Sequence, residues 1–141
     1  MEDLVQNILI PDYEPVVLKV QVVRSMSEII RGHRENMDKA RDLGLVGILM
    51  GFIRDDEEPR LSRWSCYILV YMCSTSMVCL REVLKAPGVG MLRGLDDSLT
   101  RLEEQSWNGW PKNYAALLRE VLGFKERQNR IDPRLLAGLL H

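Results

Sequence analysis

A weak internal repeat of about 43 residues constrains the fold of this 141-residue chain more than any other feature. Shifting the sequence by 44 positions places Pro15 on Pro59, and shifting it by 43 places residues 46–49 (VGIL) on residues 89–92 (VGML). The repeating segments carry helical apolar periodicity, and a helical unit of this length cannot bury its apolar faces alone. Neighbouring units must therefore stack, which predicts an all-α chain of stacked helices.

The first complete unit predicts three helices of unequal length. Residues 17–30 form a long amphipathic run, with Leu18, Val22 and Met26 recurring every four positions. A polar break at residues 31–34 precedes a short helix over residues 36–43, and Gly44 then turns the chain into a third helix over residues 45–54. The pattern predicts one structural unit that ends at the acidic loop of residues 55–58.

The second unit repeats this order of helices, but the chain after it no longer follows the 43-residue period. We predict a long helix over residues 59–74, a short one over 77–85, a corner at Pro87-Gly88 and a helix from Val89. That last helix either ends at residues 96–98 or continues through Leu99 and Leu102. The next proline comes at Pro111, about nine residues late. Pro111 then predicts a third long helix over residues 111–122, and Asp132-Pro133 begins a closing helix.

Residues 18–32 (LKVQVVRSMSEIIRG) and 35–49 (ENMDKARDLGLVGIL) together resemble the armadillo repeat. Gly47 and Gly90 stand where that family often has proline. The resemblance implies an all-α, armadillo-like right-handed superhelix of stacked helices, with about two and a half repeats in a single domain over residues 1–141. The expected divisions are a partial repeat at 1–13, repeats at 14–57 and 58–98, and at 99–141 an insertion followed by divergent C-terminal helices.

In armadillo proteins the long third helices line a concave groove. In importin-type members a Trp and an Asn four residues later hold an extended basic peptide. The resemblance places Arg24 and Glu28 at those positions in the first unit, and Tyr67 and Tyr71 in the second. The Trp/Asn ladder is therefore absent, but residues four apart share a helix face. We predict a peptide- or helix-binding groove formed by these four residues, against the alternative that both tyrosines are core residues with satisfied hydroxyls.

Two tryptophans, Trp107 and Trp110, flank Asn108-Gly109 in the insertion. A tryptophan pair in a loop is typical of a partner-binding hot spot. The alternative is that the pair covers an exposed end of the stack, because the terminal repeats of a solenoid lack a neighbour. Exposed stack ends also suggest a second role, in which the chain assembles with copies of itself or with a larger scaffold.

The sequence favours a binding protein over an enzyme. Its only histidines are His33, in a polar loop, and the terminal His141, and it contains no common catalytic, metal or phosphate-binding motif. We therefore expect no catalytic residues, no metal and no cofactor. Cys66 and Cys73 lie about 10 Å apart along one helix, too far for a disulfide. We expect buried, reduced thiols.

The charge and hydropathy of the chain limit the classes of partner that we expect it to bind. The formal net charge is −1, and basic residues are interleaved with acidic ones, so a basic stripe for nucleic acid is not indicated. No apolar run reaches the about 20 residues that span a bilayer, and the acidic N-terminus does not resemble a signal peptide. We expect a cytoplasmic protein, with the nucleus open, that acts as a non-enzymatic adaptor or scaffold for another protein rather than for nucleic acid or membrane.

Overall fold

The computed structural model describes residues 1–11, 14–85 and 89–124, and all regular secondary structure within these ranges is helical. Two successive groups of three helices follow the predicted order of a long, a short and a third helix. The predicted corner at Pro87-Gly88 and the closing helix from Asp132 lie outside the described residues. The helices are α1 (Glu2–Leu4) with a π-helical continuation (Val5–Leu9), α2 (Val16–Ile30), α3 (Arg34–Asp42), α4 (Leu45–Asp55), α5 (Pro59–Thr75), α6 (Met77–Leu84), α7 (Val89–Glu104) and α8 (Tyr114–Val121).

Local sequence explains where the helices of the first group end. Gly44 has φ +90°, a left-handed conformation that glycine adopts without steric cost, and it separates α3 from α4. Glu58 caps α5, because its carboxylate accepts a hydrogen bond from the backbone N–H of Arg60 at 3.3 Å. The Arg60 side chain and this backbone N–H both hold the pKa of Glu58 below its ordinary value. Part of the acidic loop thus serves the start of the next helix.

The structure decides where the insertion lies. Helix α7 continues to Glu104 instead of ending at residues 96–98, because Leu95, Leu99 and Leu102 form a buried stripe along it. The prediction that α8 begins at Pro111 was wrong by three residues. Asn113 caps α8 instead, with its Oδ1 accepting a hydrogen bond from the Ala116 N–H at 3.0 Å. The insertion is therefore divided between a longer α7 and the loop of residues 105–113.

Helix α5 occupies the centre of the packing. It contacts α2, α4, α6 and α8, which explains why its sequence is apolar on most sides. Its buried apolar side chains join those of the surrounding helices in one cluster. Fully buried large side chains include Met26 and Ile30 from α2, Leu45, Leu49 and Ile53 from α4, and Ile68, Leu69 and Met72 from α5.

None of the described helices is by itself both long and apolar enough to cross a bilayer, and the pair that reaches this length together, α5 and α6, is bent by 119°.

The three cysteines are buried free thiols: Cys66 and Cys79 are 0% exposed and Cys73 is 4% exposed. Burial raises the pKa of the Cys66 thiol, and burial together with the neighbouring Cys79 raises the pKa of Cys73 to about 12. A neutral, enclosed thiol is a poor nucleophile. These cysteines therefore pack as small apolar side chains, as the sequence predicted.

This burial predicts both slow labelling and a loss of stability at high pH. We expect a thiol-specific disulfide reagent to label the native protein slowly and the denatured protein completely. The unfolded Cys73 loses its proton near its ordinary pKa of 9.0, whereas the folded one keeps it to about 12. The free energy of unfolding should therefore fall as pH rises from about 9 towards 12. Urea titrations across this range should show a shallower fall for Cys73→Ala, and rapid labelling of the native chain would contradict the burial.

Candidate partner-binding surface

Three helices, α2, α5 and α8, lie side by side. Each of them begins at or shortly after a proline. Helix α5 contacts both α2 and α8. Along α5, Trp64, Tyr67 and Tyr71 are spaced three and four residues apart, so they share one face of the helix. All three side chains are half-buried, with part of each ring open to solvent. Helices α2, α5 and α8 thus present their outer sides to the same region of the surface.

Five aromatic rings meet there, and we call them the aromatic face. Trp64 and Tyr67 come from α5, Trp107 and Trp110 from the loop before α8, and Tyr114 from the start of α8. Ring centroids lie 4.8 Å apart for Trp64 and Trp110, 5.0 Å for Tyr67 and Tyr114, and 5.7 Å for Trp107 and Trp110, all in edge-to-face geometry. Such pairs contribute about 0.5–1.5 kcal/mol each beyond area burial. The rings therefore hold the loop against α5.

Hydrogen bonds position the loop that carries two of these rings. The indole N–H of Trp107 donates to the carbonyl of Leu102 on α7 at 2.9 Å. The backbone N–H of Trp110 donates to the carbonyl of Trp107 at 3.0 Å, which closes a turn containing Gly109 at φ +87°. The side-chain amide of Asn113 donates to the carbonyl of Glu103 at 2.9 Å. Both ends of the loop are thus tied to the last turn of α7.

Three arginines surround the aromatic face. The guanidinium carbon of Arg24 lies 5.8 Å from the ring centroid of Trp64, and that of Arg63 lies 5.9 Å from Trp107. Both distances are within the range of cation–π attraction. Arg31 donates a hydrogen bond from Nη1 to the hydroxyl oxygen of Tyr67 at 2.6 Å.

The same surroundings keep the Tyr114 phenol neutral. Burial raises the pKa of Tyr114, and the nearby Tyr67 raises it further, while Arg31 has the opposite effect. The phenol of Tyr114 therefore adds no negative charge to the aromatic face.

The predicted groove residues are only partly brought together. Arg24 and Tyr67 both contact Trp64, so they belong to one surface. Glu28 is exposed on α2, and no ion pair joins it to Arg24 within the described part of the chain. Tyr71 lies one turn beyond Tyr67, and its hydroxyl accepts a hydrogen bond from the Gly32 backbone N–H at 2.7 Å. Tyr71 thus joins α5 to the turn after α2.

Trp107 and Trp110 lie on this same surface, although we predicted from the sequence that they form a separate site. Trp110 contacts Trp64 and Tyr67 directly. Sequence reasoning missed the site residues Arg31, Arg63, Trp64 and Tyr114. Trp64 was detectable, since it precedes Tyr67 by three residues on a helix. Tyr114 was not, because its contact with Tyr67 joins two separate helices and depends on tertiary packing.

Among the described residues, groups that could support catalysis or metal binding are not gathered at this surface. His33 is exposed before α3, and the cysteines are buried elsewhere. Over residues 1–11, 14–85 and 89–124, no group of three His, Cys, Asp or Glu side chains is placed to hold a metal ion. The arrangement offers flat aromatic area, guanidinium donors and two phenol hydroxyls, which are the groups of a binding surface.

Residues 1–126 match a family model described as "Armadillo-like helical domain-containing protein 2". No curated protein sequence and no solved structure matches the chain significantly.

Proposed function

The chain belongs to the family of armadillo-like helical domain-containing protein 2, and on this premise we propose that it is a non-enzymatic adaptor that binds a peptide or helix of another protein on the aromatic face. The armadillo-like helical domain is in general a protein-interaction module. The proposal adds the location: the outer sides of α2, α5 and α8, together with the loop of residues 105–113.

One observation carries this proposal: all three tryptophans of the chain, Trp64, Trp107 and Trp110, lie in one half-buried cluster flanked by arginines. Trp, Tyr and Arg are the residues most enriched at binding hot spots. They provide large, rigid contact area with a polar edge. Each of the three tryptophans is also partly exposed, so a partner can reach it.

The helix arrangement suits a partner that crosses the helices. Packed helices are about 8–10 Å apart, and an extended segment rises about 3.3 Å per residue. A partner lying across α2, α5 and α8 would therefore place about three residues over each helix. It would meet Arg24 first, then Trp64 and Tyr67, and finally Tyr114.

Peptide selection tests the proposal without requiring a known partner protein. The whole chain is used to select binders from a random peptide display library, and an enriched peptide is labelled and titrated against parent and variants. We expect Trp110→Ala to weaken the affinity about 30-fold or more, as hot-spot aromatics do. Met77→Ala is the matched control, because Met77 is 61% exposed on α6. It should change the affinity less than about twofold.

Thermal unfolding of both variants separates lost binding from lost folding. Enriched peptides that bind Trp110→Ala as tightly as the parent would exclude the aromatic face as the site. Self-assembly, the alternative function, makes a different prediction: the sedimentation coefficient of the parent would rise with concentration, and Trp110→Ala or a selected peptide would leave that rise unchanged.

A further inference from the structure

We propose that the partner segment is acidic as well as apolar, with carboxylates next to an apolar side chain. This inference rests on the proposed function, because it gives the chemistry of a partner bound at the aromatic face. It follows from three arginines that lie against the aromatic face and form no ion pair among the described residues.

Three arginines elsewhere in the described part of the chain are paired with acidic residues of the chain itself. These pairs join Arg41 to Asp38, Arg60 to Glu58 and Arg119 to Asp96. The arginines at the aromatic face have no such pair within the described ranges, and they differ from the other unpaired arginines in lying against aromatic side chains. Arg24, Arg31 and Arg63 contact aromatic rings or a phenol, and among the described residues none of them forms an ion pair.

Two of the three arginines lie over indoles of the aromatic face. Arg24 lies over Trp64, and Arg63 lies over Trp107, while Trp110 contacts both of these tryptophans. An apolar side chain placed on the indoles would therefore lie near both guanidiniums, and the complementary groups for these are carboxylates.

Stacking on indoles leaves the guanidinium edges available. A guanidinium has five N–H donors in its plane and can hold a carboxylate through two of them. Arg31 uses Nη1 to bind the Tyr67 hydroxyl. The Nε of Arg63 is buried, so a carboxylate of the partner would bind Arg63 through its two Nη groups. Contact with the rings also limits side-chain motion, so less conformational entropy is lost when a carboxylate binds.

The acidic residues near this surface do not cancel its charge. Glu28, on α2 between Arg24 and Arg31, is exposed, and together with Glu58 it sets two carboxylates against three guanidiniums, which leaves about one positive charge. Glu58 acts on Arg63 only through space, since its hydrogen bonds come from Arg60. The face is therefore locally positive in a chain whose formal net charge is −1.

Peptide composition and charge reversal test this inference together. Peptides that the whole chain selects from the random library should be enriched in Glu and Asp around an apolar residue. We expect Arg24→Glu to weaken the best peptide at least about tenfold, and its affinity for the parent to fall as salt rises. Arg93→Glu is the control, since Arg93 is exposed on α7, outside the aromatic face. It should change affinity less than about twofold. Arg24→Lys should give an intermediate loss, because lysine keeps the charge without the planar stacking.

The outcomes separate this inference from the proposed function. Peptides that need Trp110 but are basic or neutral, and that bind Arg24→Glu like the parent, would overturn the inference and leave the proposed function standing. If none of the selected peptides requires Trp110 for binding, both the inference and the proposed function are overturned. A single-stranded RNA that displaces the selected peptide at equal concentration, through the same arginines, would also overturn it, since RNA presents phosphates and bases in place of carboxylates.

Discussion

Leu69→Ala is expected to lower the free energy of unfolding by about 3 kcal/mol. Leu69 lies on α5, the helix in contact with α2, α4, α6 and α8, and only 1% of it is exposed. Its truncation removes apolar burial and leaves a cavity that four surrounding helices cannot close without moving. Urea unfolding followed by circular dichroism measures the change as a lower midpoint with the same slope.

Val78→Ala provides the matched control for this prediction. Val78 is an aliphatic residue on a helix, but 51% of it is exposed, so its truncation should change stability by less than about 0.5 kcal/mol. Equal losses for the two variants would mean that α5 is not at the centre of the core. Because α5 also carries Trp64 and Tyr67, a weakened α5 should make the indole fluorescence of the aromatic face change in the same transition.

Arg119→Met is expected to lower the free energy of unfolding by about 2–3 kcal/mol. This is the second of the two largest expected effects. Arg119 on α8 is 6% exposed, and it donates to Asp96 at 3.0 Å and to Glu103 at 2.6 Å, both on α7. Removing the guanidinium leaves two carboxylates partly buried together, and breaking a buried pair costs about 3–5 kcal/mol. We expect less here, since about a quarter of each carboxylate is exposed.

The charge state of this group is stable to pH. Burial lowers the pKa of Arg119, but its hydrogen bonds to Glu103 and Asp96 more than compensate and raise the pKa above its ordinary value. The guanidinium therefore stays charged wherever the protein is folded. The effect of Arg119→Met should be the same at neutral and mildly alkaline pH.

A matched set of variants identifies the cause of the loss. Arg93→Met removes an exposed arginine from α7 and should change stability by less than about 0.5 kcal/mol. Adding Asp96→Asn and Glu103→Gln to Arg119→Met should restore part of the loss, because the repulsion between the two partly buried carboxylates is then gone. If the two added substitutions restore none of the lost stability, Arg119 acts by packing alone. The loop of residues 105–113 links α7 and α8, so Arg119→Met should also weaken binding at the aromatic face.

The helices of the first two units could be predicted because their causes are local. Residues 16–30 form α2 through apolar spacing along one face, and Gly44 and Glu58 act on helix ends within a few residues of themselves. Such signals need no distant partner. The all-helical class and the armadillo-like family were therefore confirmed, while the groove residues remain predictions.

Long-range contacts decided the rest. The spacing along α2 allows Arg24 to pair with Glu28, four residues away, but Arg24 lies over Trp64, forty residues away in sequence. Trp107 and Trp110 carry no periodicity, because a loop has none, so their place on α5 and α8 depends on the length of α7 and the cap at Asn113. Local periodicity thus determined which segments are helical, and only tertiary packing determined that arginines and aromatics from separate elements form one surface.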